Sequence, residues 1–495
     1  MNKIKYILVA LFCTFSLHNW AKDYNVADFG AKADGQTLNT RTIQKAIDYV
    51  SSHGGGRLVF QAGNYVTGSI YLKSDVTLHL EHGASILGSN NPFDYVIDPY
   101  IKWASMIFAL KQDNIGITGK GTINGRGFTT ANNLVEYIHR GIFEDELLYD
   151  RPREWRRPQN VYFRECTNVK ITDITLRDPA SWNQTYDQCK NVYVDNIYVD
   201  SKSYWNNDGI DIVDCDGVEI RNSFIDAADD VFCFKSHDPN SICQNVIVEN
   251  CIGRSSANGL KFGTVSRGGF RNFKIKNLTI YDTFRSAITF AAVDGGIVEN
   301  IEVDSVRAIN TGNVIFLRIG DRWSNGKEPS MKNITISNVY AEVPLGKPDS
   351  GYNYEGPIED NPRNISPASI VGLPDYRIEN VKLKNIEIVY PGAGNPLYAY
   401  RGTSAAELDS IPEMPAKYPE FSQWKELPAW GFYVRHADGV EFENVTFTAE
   451  KKDYRPSIVL DDVKGATFDN VKFNEPDSKG KQQIIQHNST NVVVK

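Results

Sequence analysis

The chain has 495 residues, of which 41% are hydrophobic, 23% charged and 12% aromatic, ordinary globular values that exclude a disordered or low-complexity scaffold. Lys plus Arg number 53 against 61 Asp plus Glu, a net charge of −8 without a basic stripe, which argues against a nucleic-acid partner. No apolar run reaches the roughly 18 residues of a membrane-spanning helix.

Lys3 and Lys5 precede the apolar Tyr6–Leu17, and Asn19-Trp20-Ala21 offers a cleavage site. Residues 1–21 therefore read as an export signal, and the product is expected to be secreted or periplasmic. Phe12 is too bulky before Cys13 for lipidation, so release is expected. Residues 22–495 are expected to form one domain.

Within Thr40–Ser52, Ile43, Ala46, Ile47 and Val50 share one helical face. Gly54-Gly55-Gly56 would end that helix, and Arg57–Phe60 would begin a strand. The glycines follow a helix instead of opening one, so they are not a phosphate loop. A short helix here would plug the open end of a stack of repeats.

Repeats organise the rest. Copies begin at Asn168, Asn191, Gly217, Asn245, Asn272 and Gly296, spaced 23, 26, 28, 27 and 24 residues apart. Further copies begin at Asn114, Asn333, Asn380, Gly439 and Gly465. Each alternates apolar and polar residues, breaks at an Asn or Asp, and alternates again, as strands do. No helical run separates the copies. The chain is therefore expected to be all-β, a single-stranded right-handed parallel β-helix. Asn suits the copy starts because it tolerates turn geometry and can bond along a ladder. Cys166, Cys189, Cys215 and Cys243 each lie two residues before a copy start, which predicts an internal column of small buried thiols. Pro344–Asp375 and Pro391–Ala437 interrupt the repeat and are expected to be loop insertions that wall a substrate.

The chemistry sits in a short stretch. Asp208 lies in Asn206-Asn207-Asp208-Gly209, and Asp229-Asp230 follow 21 residues later, about one coil. Stacking would bring the three carboxylates onto one face, where repulsion makes at least one hold its proton. Two carboxylates flanking a glycosidic oxygen suffice for hydrolysis. Strict alternation would point Asp229 and Asp230 to opposite faces, so a turn is expected there. Tyr204 and Trp205 flank the group.

From Val26–Gly30 to the last copies, the chain resembles glycoside hydrolase family 28, the polygalacturonase family of pectin-degrading β-helices. The family's N-T-D motif stands here as Asn206-Asn207-Asp208, and its D-D motif as Asp229-Asp230. The segment from Ile411-Pro412-Glu413 through Leu427 to Arg435-His436 also resembles bacterial members. The resemblance implies an inverting mechanism with Asp229 as general acid and Asp208 and Asp230 holding and activating the water. It also implies a poly- or oligosaccharide substrate. The family's G-H-G histidine is replaced by Asn258, and the Arg and Lys of its R-I-K motif are missing near Ser286–Phe290. Lys261 and Lys235 are candidates for the missing positive charge, and Arg318 and Arg322 for reaching the cleft. Asn206, Asn258, Lys235, Lys261, Arg318 and Arg322 are thus the expected substrate-binding residues. No metal-ligand spacing is visible, no cofactor is required, and a monomer is expected. Two other readings stay open: a polysaccharide lyase, and a non-catalytic glycan-binding β-helix.

Overall fold

The computed structural model describes residues 22–147, 151–354, 366–394 and 402–495. The expected export signal lies outside the described residues, as do parts of both expected insertions.

Short strands joined by one-residue to few-residue turns repeat with a three-strand period. Gln159–Arg164, Thr167–Thr172 and Thr175–Arg177 make one coil, each pairing in parallel with its counterpart in the next coil: Gln184–Asp187, Lys190–Asp195 and Tyr198–Ser201. The third coil, Ile210–Val213, Asp216–Arg221 and Phe224–Ala227, continues all three ladders. This is a parallel β-helix, as the alternation predicted. Backbone groups are met by neighbouring coils, so the stack needs no second layer.

The inward faces carry the core. Val169, Val192, Val218, Val246, Phe273 and Ile301 are consecutive partners in one inward column, and each follows the first residue of its copy. Those first residues form a ladder: Asn168, Asn191, Asn272 and Asn333 have φ of 57°, 55°, 58° and 57°. Their side chains bond from coil to coil, Asn191 Nδ2 donating to Asn168 Oδ1 at 3.1 Å and Asn272 to Asn245 at 3.2 Å. One copy start is corrected. Asn300, not Gly296, bonds to Asn272 and continues the ladder. Gly296 misled because the alternation begins before the turn residue. All six described cysteines are free and buried, and Cys189 N–H meets Cys215 Sγ at 3.3 Å within the expected column.

The first helix, α1 (Thr40–Ser52), buries Ile43, Ala46, Ile47 and Val50 against the first coils. Gly55 stops it at φ 82°, where an added Cβ would come 2.5 Å from the Asp75 carbonyl oxygen. A second helix, α2 (Gly127–His139), was not expected. Its polar pairs Thr129-Thr130 and Asn132-Asn133 break the apolar stripe, although Thr130, Ala131 and Leu134 are buried on one face.

Both insertions are shorter than expected. Ala368–Val371 is a coil strand, and Phe432–Lys451 begins before the second expected boundary at Ala437. Ladder pairing decides both: Ala368–Val371 pairs with Phe316–Arg318, and Phe432–Arg435 pairs in turn with Ala368–Val371. The second insertion includes the short helix α3 (Ala405–Asp409). Its Leu408, Ile411, Phe421, Trp424 and Leu427 pack on Phe316, Tyr433 and Val459.

Candidate active site

One outward column decides where the site lies. Thr185, Asp211, Cys233, Lys261, Thr289, Phe316, Ser369, Tyr433 and Val459 are successive ladder partners. Phe316, Tyr433 and Val459 are apolar where the second insertion covers the sheet. Asp211, Cys233, Lys261 and Thr289 are polar or reactive just beside that cover. The carboxylates stand at the neighbouring turns.

Asp208 ends a turn just before the Ile210–Val213 strand. Asp229 and Asp230 occupy a bend between Phe224–Ala227 and Phe232–Ser236, the turn that the alternation required. The two turns are tied together: Asp229 N–H donates to Asn207 O at 3.2 Å and Gly209 N–H to Asp230 O at 2.9 Å. Stacking therefore brings the three acids together. Carboxylate oxygens of Asp208 and Asp230 and the Cys233 sulfur all lie within 4.8 Å of one another. A water that bonds at about 2.8 Å to each carboxylate fits between Asp208 and Asp230.

Asp230 is the fixed member. Its Oδ1 accepts from Asn258 Nδ2 at 2.7 Å and from Asn258 N–H at 3.1 Å. Burial alone would raise its pKa. The charges of Lys261, Arg285 and Lys235 and the Asn258 hydrogen bond outweigh burial and hold it below the usual carboxylate range. Asp229 is only partly covered and behaves oppositely. Burial, with the Asp230 charge beside it, pushes it up to about 6 despite Arg285 and Lys235. Asp208 is also pushed well up, first by burial and then by Asp211, against the pull of Lys235. The site thus holds two carboxyls that keep their protons in mild acid, Asp229 and Asp208, and one, Asp230, that gives its proton up readily.

Lys235 is not free to meet substrate. Its Nζ donates to Asp208 Oδ2 at 3.1 Å and to Asp211, lies 2.8 Å from Cys233 Sγ, and sits 4.2 Å from the centroid of Trp182. Two carboxylates share this one ammonium, and their attraction overcomes burial to raise its pKa. Asp208, Asp230 and Cys233 could in principle ligate a cation. Two of those three groups, Asp208 and Cys233, are already in contact with the Lys235 ammonium.

Several other expected substrate contacts are also corrected. Asn258 turns its carboxamide to the protein: Nδ2 to Asp230, with Oδ1 accepting from Ser286 N–H and Thr289 Oγ1, both at 3.1 Å. It positions Asp230. Asn206 Oδ1 accepts from Arg157 at 2.8 Å. Arg318 donates to the carbonyls of Glu413 at 2.6 Å and Met414 at 3.1 Å, and stacks on Trp424, so it anchors the second insertion. Burial lowers its pKa to about 9. Arg322 is held by two hydrogen bonds to Asp294, both 2.9 Å, and lies over Trp323. Lys261 is completely buried, and its charge acts on Asp230.

The sequence reading missed three residues here. Asn207 is fully buried and knots the Asp208 turn, donating to Ser181 O at 2.7 Å and accepting from Tyr204 N–H at 2.7 Å. Arg157 ties the carbonyls of Pro152, Ala180 and Trp205 into one wall. Arg285 is 8% exposed and acts on both Asp229 and Asp230. The only sequence signal for Arg285 was its place one coil beyond Asn258. Ala131 of α2 packs with Ala180 and Tyr204, beside Trp205 and Tyr354.

Comparison with known proteins identifies the family of the chain. The family model Glycosyl hydrolases family 28 matches residues 58–343, more than half of the chain. An exo-poly-alpha-D-galacturonosidase of Dickeya chrysanthemi is 26% identical over 435 residues, covering 74% of this chain and 71% of that protein. A probable polygalacturonase of Vitis vinifera is 25% identical, covering 64% of this chain and 62% of its own length. The same fold is found in an exopolygalacturonase from Thermotoga maritima, with TM-score 0.60, 24% identity, and 74% of this chain and 87% of that one covered. A family 28 exopolygalacturonase from Yersinia enterocolitica also shares it, with TM-score 0.61, 21% identity, and coverage of 95% and 78%. The chain therefore belongs to glycosyl hydrolases family 28, as a divergent polygalacturonase-like glycoside hydrolase built on a right-handed parallel β-helix.

Proposed function

We propose that this glycoside hydrolase cleaves a pectic or related uronic-acid-containing saccharide by single displacement with inversion. The observation that carries the mechanism is the opposed protonation of two adjacent carboxyls. Asp229, protonated up to about pH 6, gives its proton to the leaving glycosidic oxygen. Asp230, held ionised, takes a proton from water. Asp208, fixed by Lys235, orients that water from the other side. The glycosidic C–O bond breaks, a C–O bond to water forms, and the two carboxyls end with exchanged protonation. The galacturonate substrates named for the relatives support the pectic assignment. Export belongs to the same reading and rests on Lys3, Lys5 and Tyr6–Leu17 together with a polymeric substrate.

Reducing-end release from oligogalacturonates, with ultraviolet absorbance followed in parallel, tests the reading. Wild type is expected to release sugar without new absorbance, and Asp229→Asn to lose about 10²–10⁴-fold in kcat. Release that brings ultraviolet absorbance would indicate a lyase. Equal rates for wild type and variant would remove Asp229 as the acid.

A further inference from the structure

Three corners of successive coils stack at the site. The first carries Asp229 and Asp230, the second Ala257 and Asn258, and the third Arg285, where the strand register shifts between Thr283 and Ser286. Backbone bonds fix the order: Val231 N–H donates to Asn258 O and Arg285 N–H to Ala257 O, both at 2.9 Å. Arg285 thus stands two coils from the acids. A coil spacing of about 4.8 Å puts its backbone roughly 10 Å from theirs.

The ionic partner of Arg285 comes from elsewhere. Its Nε lies 3.1 Å from Glu420 Oε2, and the Tyr418 ring covers its guanidinium at 5.8 Å. Both partners belong to the second insertion, and Glu420 is 4% exposed. The insertion is hooked to the sheet a few residues earlier, where Glu413 Oε1 meets Arg435 at 2.6 Å and His436 at 3.0 Å. A buried carboxylate is therefore held against a buried guanidinium by a segment that returns from far along the chain.

That pairing matters because of what else feels Arg285. Glu420, Tyr418, Asp229 and Asp230 are the groups whose charges act on it. Among the groups that favour an ionised Asp229, Arg285 is the strongest, ahead of Lys235, while Asp230 and Glu154 oppose them. A carboxylate in contact turns the lone charge of Arg285 into a dipole, whose field at Asp229 falls away faster with distance. Without Glu420 the whole charge would reach Asp229 and draw off its proton.

We propose that Glu420 is a positioning residue for the reaction: by pairing with Arg285 it lets Asp229 keep the proton that the leaving oxygen needs. The second insertion is then part of the acid's electrostatic environment. This rests on the reading of Asp229 as the acid.

Infrared difference titration of the full chain tests the pairing without substrate. The carboxyl stretch that is lost in Asp229→Asn identifies the group. Its midpoint is expected at about 6 in wild type. Glu420→Gln keeps the shape and removes the negative charge, so the midpoint is expected to fall by about 0.5–1 pH unit, and the alkaline limb of hydrolysis with it. Glu420→Asp, which keeps the charge, is expected to stay nearer wild type. Arg285→Gln is expected to raise the midpoint, and in that background Glu420→Gln to move it by less than half as much as it does alone. An unmoved or raised midpoint in Glu420→Gln overturns the proposal, as does a shift that stays undiminished without Arg285. If Glu420→Gln fails to fold, Arg285→Gln decides, and an unmoved or lowered midpoint there overturns the proposal. Failure of the glycosidase reading shows separately, as undiminished hydrolysis by Asp229→Asn.

Discussion

Asn258 holds Asp230 with a group that cannot titrate. A histidine beside Asp230 would titrate near neutrality, whereas a carboxamide does not titrate. Every described bond of Asn258 fixes its orientation: two acceptor contacts from one side and a donor to Asp230 from the other. The pH profile should then be set by carboxyls alone. Activity is expected to rise as Asp230 ionises, below the usual carboxylate range, and to fall as Asp229 loses its proton at about 6. Asn258→Ala removes a hydrogen bond to the ionised form of Asp230, so its pKa rises and the acid limb moves to higher pH. A loss of about tenfold in kcat/KM on that limb is expected, with the alkaline limb unmoved. A pH–rate profile of the two proteins checks this, and an unchanged acid limb would remove Asn258 as the group that holds Asp230.

At the scale of elements, the second insertion belongs to the site because the sheet holds it in place. Arg318 and Arg435 reach up from the outward face to the backbone carbonyls of Glu413, Met414 and Ile411. His436 bridges Glu413 and Asp462 at 3.0 Å and 2.7 Å. The insertion in return places Tyr418 and Glu420 over Lys261 and Arg285. Arg318→Ala should free the segment from the sheet while leaving the coil ladders paired. Limited proteolysis is expected to cut within residues 402–431 of the variant sooner than in wild type, with about a tenfold fall in kcat/KM. A wild-type cleavage pattern would show that Arg318 does not anchor the insertion.

Across the whole molecule, stability is passed from coil to coil. Each coil contacts mainly its neighbours, so damage to one inward layer is felt along the stack. Phe262 is central to such a layer, with ring centroids of Phe290, Phe273, Phe234 and Phe270 at 4.5, 4.6, 5.0 and 5.2 Å. It is the inward neighbour of outward Lys261, so the layer also fixes the floor of the site. Phe262→Ala is expected to cost about 3–5 kcal/mol, read by denaturant unfolding. A loss under about 1 kcal/mol would mean that the layer relaxes around the gap.

The sequence alone determined the β-helix, the capping helix α1, the Asn ladder and the meeting of Asp208, Asp229 and Asp230. These are local or periodic: alternation sets strand faces, left-handed turns call for Asn or Gly, and a one-coil separation becomes contact on stacking. Tertiary structure decided which charges are already spoken for. Lys235, Arg318 and Arg322 looked available in the sequence but are spent on Asp211, on insertion carbonyls and on Asp294. Arg285 drew no notice in the sequence but is buried beside the acids. Whether a cation is paired depends on groups one coil away or on an insertion returning from more than a hundred residues along the chain. Strand periodicity carries no record of those partners, because it fixes which face a side chain leaves and not what it meets there.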